Sequence, residues 1–567
     1  MFHEVNSKIN FAKLDEDILH YWEEHNIFNK SVEARKGAQR YVFYEGPPTA
    51  NGSPGIHHVL SRLFKDAVCR YKTMKGYYVP RKAGWDTHGL PVELEVESTL
   101  GFTNKAQIEE YGIAQFNQKC RESVFKYIKE WEAMTERIGY WLDMENPYIT
   151  LDNGYIESCW WILKQLWDKG LVYQGYKVTP HCPRCGTSLS SHEVALGYRD
   201  DAEDPSVYIK FRVEPSLIFE TAKQKRLYEL SRGKATYLLA WTTTPWTLPG
   251  NTALAVALDA DYALLEVGDE YLILADVLRE KEGLGDYKVV EMLKGSDLAT
   301  ITGVKYEPLY NPHQFGVERR RREFINEAGV LGSPQLKLQE LGEGEKLTYK
   351  VIAADFVSME EGTGIVHVAP AFGEVDFEVG MHPDYCLDFV QPVDLQGNIT
   401  GTYPFAGKFV KDADPLIIND LKSRGLLYRS EKITHTYPFC WRCESPLLYY
   451  AKGAWYIKTT AIKDRLIRGN KEINWYPDYI KYGRFGDWLE NNVDWAISRE
   501  RYWGTPLNIW RCESCGNLEC IGSVEELKAK SKLKADSYQM KAFRDLHRPY
   551  IDEITFACSG CNGVMRR

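Results

Sequence analysis

Eight of the 13 cysteines fall into four Cys-x-x-Cys pairs: Cys182/Cys185, Cys440/Cys443, Cys512/Cys515 and Cys558/Cys561. Each pair can offer two thiolates to one ion, and two pairs complete a tetrahedral shell with no position left for a substrate. The spacing therefore predicts two closed, structural zinc sites, one bracketing residues 182–443 and one forming a ribbon-like segment near the end of the chain. Free thiols are the alternative for each set. Cys69, Cys120, Cys159 and Cys386 have no ligand-like spacing, and neither has Cys520 beside the second set, so burial is expected for them. A second cluster with chemical potential is His57-His58, two imidazoles just behind a loop rich in Gly and Pro.

The elements around His57 and His58 follow from the local pattern. Tyr41-Val42-Phe43-Tyr44 predicts a buried strand, and Gly46-Pro47-Pro48 and Asn51-Gly52 a loop after it. Val59, Leu60, Leu63, Phe64, Ala67, Val68 and Tyr71 then mark one apolar helical face. A strand, a Gly-rich loop and a helix start are where open α/β sheets bind ligands, because free N–H groups and the helix dipole favour phosphate there. Gly52 and Gly55 allow a close backbone approach. His57 and His58 are candidate phosphate contacts; simple capping of the helix is the other reading.

Residues 104–174 carry a helical pattern, with Phe125, Ile128, Trp131 and Met134 spaced for burial and Trp160-Trp161-Ile162-Leu163 in a further helix. Between the Cys182 and Cys440 pairs the chain reads as short strands, such as 237–240 and 271–274, and predicts a separate, mainly β insertion. Helix and strand patterning returns over 455–510. The organisation expected is an α/β domain over 1–180, an inserted domain over 181–443, a continuation over 444–510 and a Cys-bracketed segment over 511–567.

Composition is that of a globular protein of several domains: 44% apolar and 26% charged over 567 residues. The net charge of −9 gives no bulk support for a nucleic-acid partner, which would have to be met by local basic patches. Arg319-Arg320-Arg321-Arg322 is one such run, but its flanking glutamates favour a solvated surface over RNA contact. No stretch approaches the ~20 apolar residues of a membrane span, and the charged N-terminus does not read as a signal peptide. A cytoplasmic protein with no membrane partner is expected.

Five long motifs carry a family resemblance. Phe43-Tyr-Glu-Gly-Pro-Pro-Thr-Ala-Asn-Gly-Ser-Pro-Gly-Ile-His-His58 resembles the nucleotide-binding signature of the class I aminoacyl-tRNA synthetases, normally His-x-Gly-His. Lys82-Ala-Gly-Trp-Asp-Thr-His-Gly-Leu-Pro-Val-Glu93 is similar to the amino-acid-site segment of the isoleucine enzymes in that family. Trp241-Thr-Thr-Thr-Pro-Trp-Thr-Leu-Pro-Gly250 and Gly362-Thr-Gly-Ile-Val-His-Val-Ala-Pro-Ala-Phe-Gly-Glu-Val-Asp376 resemble the two sides of the editing site, and Trp495-Ala-Ile-Ser-Arg-Glu-Arg-Tyr-Trp-Gly504 a further catalytic signature.

The resemblance implies a Rossmann-type catalytic domain split by a mainly β editing domain. It implies activation of isoleucine by ATP with Mg2+, transfer to tRNA-Ile, and hydrolysis of Val-tRNA-Ile, by an enzyme acting as a monomer. By resemblance Asp86 pairs with the substrate ammonium, and Pro47 and Trp503 wall the apolar pocket, although Asp86 also suits a turn and Trp503 a core. Asp376 binds the ammonium of the edited residue, Thr242, Thr243 and Thr244 offer hydroxyls to the ester and its attacking water, and His367 an imidazole nearby. Editing is needed because one methylene is worth only about 1–3 kcal/mol, a figure drawn from the isoleucine enzymes themselves.

The sequence departs from the family twice. Gly55-Ile56-His57-His58 swaps the first and third signature positions, so the two rings cannot project in the usual directions. Adenylate formation is expected to survive, and inhibitors that mimic isoleucyl-adenylate to bind more weakly. The Lys-Met-Ser-Lys-Ser loop and the helical anticodon-binding region are absent, and Lys528-Ala-Lys-Ser-Lys532 reads as a solvated helix face. The 567 residues are expected to be the N-terminal part of a longer enzyme. The alternatives are a free-standing or residual editing hydrolase, a relative of the valine enzymes, and a zinc-stapled RNA-binding module without catalysis.

Overall fold

The computed structural model describes residues 8–49, 51–215, 217–317, 319–325, 335–340, 349–382, 384–385, 387–531 and 542–567, with the side chains of 191–192, 321–325 and 335–340 left out. The fold is mixed α/β, and the chain divides into two compact units. One is assembled from Met1–Lys169 and Arg501–Arg567, the other is Gly170–Glu500.

In the discontinuous unit the predicted strand is reduced to Phe43–Tyr44, and it is not buried as expected, since Val42 and Tyr44 are exposed. It pairs in parallel with Arg81–Trp85, which pairs in parallel with Asp143–Ile149. Parallel neighbours require crossovers; helix Ile56–Met74 supplies the first, and helices Leu90–Leu100, Lys105–Tyr111 and Ile113–Arg137 the second. Trp85, Val92, Val96, Phe116, Val124, Ile128, Trp131, Tyr502 and Trp503 form the core beside them. Ile128 and Trp131 are buried as their spacing predicts, whereas Phe125 is exposed. A second core joins Ile156 and Trp160 to Trp510, Ile551 and Met565. Trp161 and Ile162 of the same helical run are exposed. The Cys-bracketed segment is a four-stranded antiparallel sheet of Leu518–Cys520, Ile509–Cys512, Val564–Arg566 and Phe556–Ala557, in that order.

Helix Ile56–Met74 starts behind the Gly-rich loop as expected, but its faces are reversed. Arg62, Asp66, Cys69 and Thr73 are the buried positions, while Ile56, Leu60, Leu63, Phe64, Val68 and Tyr71 are exposed. The polar face is satisfied inside: Arg62 donates to Thr135 Oγ1 at 2.8 Å, and Arg81 to Asp66 Oδ1 at 3.3 Å and Thr73 Oγ1 at 3.0 Å.

The unit 170–500 is built on a nine-stranded sheet. Strand Ala235–Thr242 is its hub, antiparallel to Tyr198–Arg212 on one edge and parallel to Glu270–Ala275 and Val366–Val368 on the other. The expected strands at 237–240 and 271–274 lie within these elements. Val172–Cys182 and Leu448–Ile457 pair in a separate four-stranded sheet. Of the arginine run, Arg319 is buried, at 8% exposure, because its strand Arg319–Ile325 pairs with Phe389–Val390. The solvated-surface reading fails for that residue, and the side chains of Arg321 and Arg322 lie outside the described residues. Lys528 is exposed on helix Val524–Ser531 and Lys530 pairs with Glu519 at 2.8 Å, a helix face as expected; Lys532 lies outside the described residues. Cys69, Cys120 and Cys520 are buried and Cys159 is partly so, and Cys386 lies outside the described residues. Among the described residues no helix is long and apolar enough to cross a membrane.

Candidate active site and metal centres

The loop from Glu45 to Gly55 is anchored at both ends. Glu45 is buried and accepts from Lys65 and Tyr140, while Trp131 donates its indole N–H to the Gly52 carbonyl at 3.0 Å. Gly55 is the N-cap of Ile56–Met74, and its N–H donates to His58 Nδ1 at 2.9 Å. His57 and His58 have ring centroids 3.8 Å apart, and His58 packs on Trp131 at 4.6 Å. A Cβ on Gly55 would lie 2.7 Å from the His57 ring. Partial burial, then the neighbouring His57, lowers the His58 pKa and keeps its ring neutral. With Nδ1 accepting, the proton sits on Nε2, so one imidazole both caps the helix and presents an N–H donor at its N-terminus. The capping and phosphate readings use different nitrogens of His58.

Asp86 follows strand Arg81–Trp85 and is held by Thr49 Oγ1, which donates to Oδ2 at 3.2 Å, and by its own N–H to the Pro48 carbonyl at 3.1 Å. These contacts set it against the loop that carries Pro47. Burial raises its pKa, opposed by the His88 N–H and Thr49. Trp503 is 1% exposed, and its Nε1–H donates to Thr87 O at 2.6 Å. The segments 82–93 and 501–503 are locked together around Glu93. This fully buried carboxylate pairs with Arg501 and accepts the backbone N–H groups of Tyr502 and Trp503 at 2.9 and 2.6 Å, while Arg501 also pairs with Glu97. Breaking one partner of such a pair costs about 3–5 kcal/mol.

Sequence reasoning passed over His88 as a side chain, and His547 entirely. His88 Nε2 lies 2.7 Å from His547 Nε2, and His547 Nδ1 lies 2.6 Å from Asp545 Oδ1. Asp545 Oδ2 accepts from Arg121 at 3.0 Å. The His547 ring stacks on Trp503 with centroids 4.6 Å apart and planes 13° apart. His88 stands within the quoted motif, but nothing in the sequence marks His547 as its partner.

In the unit 170–500, register brings the two β motifs onto neighbouring strands, since Val366 is opposite Trp241. Thr242 Oγ1 lies 3.2 Å from Thr244 Oγ1, Thr244 Oγ1 lies 3.4 Å from Thr247 Oγ1, and Thr247 Oγ1 lies 3.0 Å from His367 Nε2. Thr243 is part-exposed and outside this chain of hydroxyls. Thr247 was overlooked, although it stands in the same motif. Burial lowers the His367 pKa to about 4, and its buried Nδ1 has no partner among the described residues. Asp376 lies in the first turn of helix Glu374–Gly380 and accepts from Ala369 N–H at 3.0 Å; burial raises its pKa to about 6. Asp414, not singled out in the sequence, accepts the Trp246 N–H at 2.8 Å, and burial raises it to about 7.

Both cysteine sets converge. The Sγ atoms of Cys182, Cys185, Cys440 and Cys443 lie within 4.8 Å of one another, as do those of Cys512, Cys515, Cys558 and Cys561. A tetrahedron with metal–sulfur bonds of ~2.3 Å has edges of about 3.8 Å, and individual pairs stand at 3.4 and 3.5 Å in the first set and 3.4 and 3.8 Å in the second. Backbone N–H groups of Cys185, Gly560 and Gly563 point at ligand sulfurs at 3.4 Å. Such donors favour thiolate, and each set could hold a metal ion.

A family model for tRNA synthetases class I (I, L, M and V) matches residues 17–553. The isoleucine–tRNA ligase of Dehalococcoides mccartyi is 58% identical over 100% of this chain and 54% of its own length. Those of Thermus thermophilus and Clostridium novyi are 50% and 46% identical, again over the whole chain and 49% of theirs. The chain thus spans about half the length of the curated relatives it matches.

Proposed function

The chain belongs to the class I tRNA synthetases (I, L, M and V), and on that footing we propose that it carries the activating and editing centres of an isoleucine–tRNA ligase. The observation that carries the reading is the likeness, over every residue, to relatives named for isoleucine. The geometry around Asp86, Trp503 and His58 supports it. In activation the carboxylate of isoleucine attacks the α-phosphorus of ATP, the bond to pyrophosphate breaks, and a tRNA hydroxyl later displaces AMP. His57, the Nε2–H of His58 and the N-terminal amides of Ile56–Met74 are set to meet the growing phosphate charge. Asp86 accepts the substrate ammonium, a charged hydrogen bond worth about 1.5–3 kcal/mol. Pro47 and Trp503 wall the side-chain pocket. Asp86→Ala should weaken isoleucine binding by roughly 10–100-fold and leave ATP binding alone, which calorimetry would read.

For editing, valine esterified to tRNA is held by its ammonium at Asp376 while water attacks the ester carbonyl and the tRNA hydroxyl departs. Thr242, Thr243 and Thr244 serve the ester and its water, with Thr247 and His367 behind them. Zinc is the metal proposed for both cysteine sets, where it supplies cross-links and no chemistry, and Mg2+ accompanies the phosphates of ATP. With these substrates the protein works in the cytoplasm, as a monomer. ATP–pyrophosphate exchange and deacylation of Val-tRNA-Ile separate the two centres. Asp376→Ala should abolish deacylation alone, and deacylation that survives this change would refute the editing assignment. A chain that deacylates but never binds isoleucine would make it an editing hydrolase.

A further inference from the structure

Trp503 is gripped on several sides by groups that the activation chemistry above does not use. The flat face of the His547 ring lies on it at 4.6 Å, the His88 ring meets it edge-on at 5.2 Å and 79°, and the Arg121 guanidinium lies 5.6 Å from its centroid. These three groups are also linked to one another through Asp545. His547 is 1% exposed, so water does not compete for its nitrogens.

His547 and Arg121 hold the Asp545 carboxyl down at about 2, so it is a carboxylate at neutral pH. It accepts from both the backbone N–H and the Nδ1–H of His547, at 3.1 and 2.6 Å. With Nδ1–H donated to that carboxylate, His547 Nε2 faces His88 Nε2 at 2.7 Å. Burial and the neighbouring His547 hold the His88 pKa well below its usual value, and the 2.7 Å contact holds one proton between the two Nε2 atoms. Of the residues these contacts reach, Trp503 and His88 flank the site: Trp503 holds the turn through Thr87 O, and the His88 N–H bonds Asp86.

We propose that His547, oriented by Asp545 and Arg121, is a positioning residue that fixes Trp503 and the Asp86–His88 turn at the amino-acid end of the site, and so tunes discrimination of the apolar side chain. This rests on the reading of that site as the isoleucine pocket. His547 touches no substrate; it acts through Trp503 and His88.

The test uses the 567-residue chain labelled with 15N in histidine and tryptophan. In the unsubstituted protein at pH 7, His547 should carry a proton on Nδ1, facing Asp545; an unprotonated Nδ1 there overturns the proposal. Asp545→Asn removes the carboxylate that holds the His547 Nδ1–H and Arg121, and His547→Phe keeps a ring beside Trp503 but removes both hydrogen bonds. Each should shift the Trp503 indole resonance, weaken isoleucine about tenfold, narrow the preference over valine and leave ATP affinity unchanged. Equal losses for isoleucine and ATP would mark a merely structural role and overturn it. If the unsubstituted chain binds ATP but no isoleucine, the pocket reading fails and the specificity claim with it, while the His547 Nδ1 proton and the Trp503 resonance still decide whether His547 orients that ring.

Discussion

Asp376, part-buried against the Ala369 N–H, is where the cost of a desolvated charge becomes measurable. Its folded pKa of about 6 lies above the ~3.9 of an unfolded aspartate, so the native state holds the proton more tightly. Stability from this group is present below about pH 4, is lost as pH rises toward 6, and above that the desolvated carboxylate costs on the order of 1–3 kcal/mol. Asp376→Asn should therefore raise the denaturation midpoint of its unit at pH 7.5 and leave it near that of the parent at pH 4, read by urea unfolding at both values. Because only the ionised form can bind an ammonium, deacylation should fall as pH drops through about 6. His367, neutral down to about 4, does not supply that limb. Asp414, raised to about 7 on the Trp246 N–H, is the competing group, and persistence of the limb in Asp414→Asn assigns it to Asp376. The convergence of the two cysteine sets was legible because residue type and spacing announce it, whereas the roles proposed for Asp376 and Asp86 rest on the family resemblance. Thr247, His88 and His547 were not legible, since their roles come from partners that only folding brings within 3 Å.

Helix Ile56–Met74 shows why an element was legible while its packing was not. Periodicity identifies an apolar face but is silent on which face is covered; here Arg62, Asp66 and Thr73 go inside because Thr135 and Arg81 satisfy them there. Leu60, Leu63, Phe64 and Val68 stand in solvent, a contiguous exposed apolar stripe. Phe64→Lys should then change the unfolding free energy of this chain by no more than about 0.5 kcal/mol, as for an ordinary surface position, read by urea unfolding. A loss of about 3–5 kcal/mol, the cost of a core aromatic, would mean that the stripe is covered. The strands at 237–240 and 271–274 were easier to read as elements, because short aromatic and aliphatic runs mark buried strands, and here Leu238, Leu239 and Ala240, like Leu272, Ile273 and Leu274, are buried on both faces.

At the scale of the whole chain, each unit has its own core and its own cysteine set. The large core of the unit 170–500 draws on residues from Val178 to Ala451, with Cys182, Cys185, Cys440 and Cys443 tying together the ends of that stretch. The discontinuous unit draws its cores from Trp85 to Trp503 and from Ile156 to Met565, with Cys512, Cys515, Cys558 and Cys561 cross-linking its later segment. A cross-link stabilises most where it closes a long loop, because it removes more freedom from the unfolded chain. The first set closes the longer loop by far, so losing its metal should cost its unit more. Two thermal transitions are expected, and the metal content should fall from two ions per chain to one in either Cys443→Ser or Cys512→Ser. Cys443→Ser should lower the transition of the unit 170–500, together with deacylation of Val-tRNA-Ile, and leave the other transition in place. Cys512→Ser should lower only the transition of the discontinuous unit. If both substitutions moved a single shared transition by equal amounts, the two cores would unfold as one cooperative body, and each metal would stabilise the whole chain rather than its own unit.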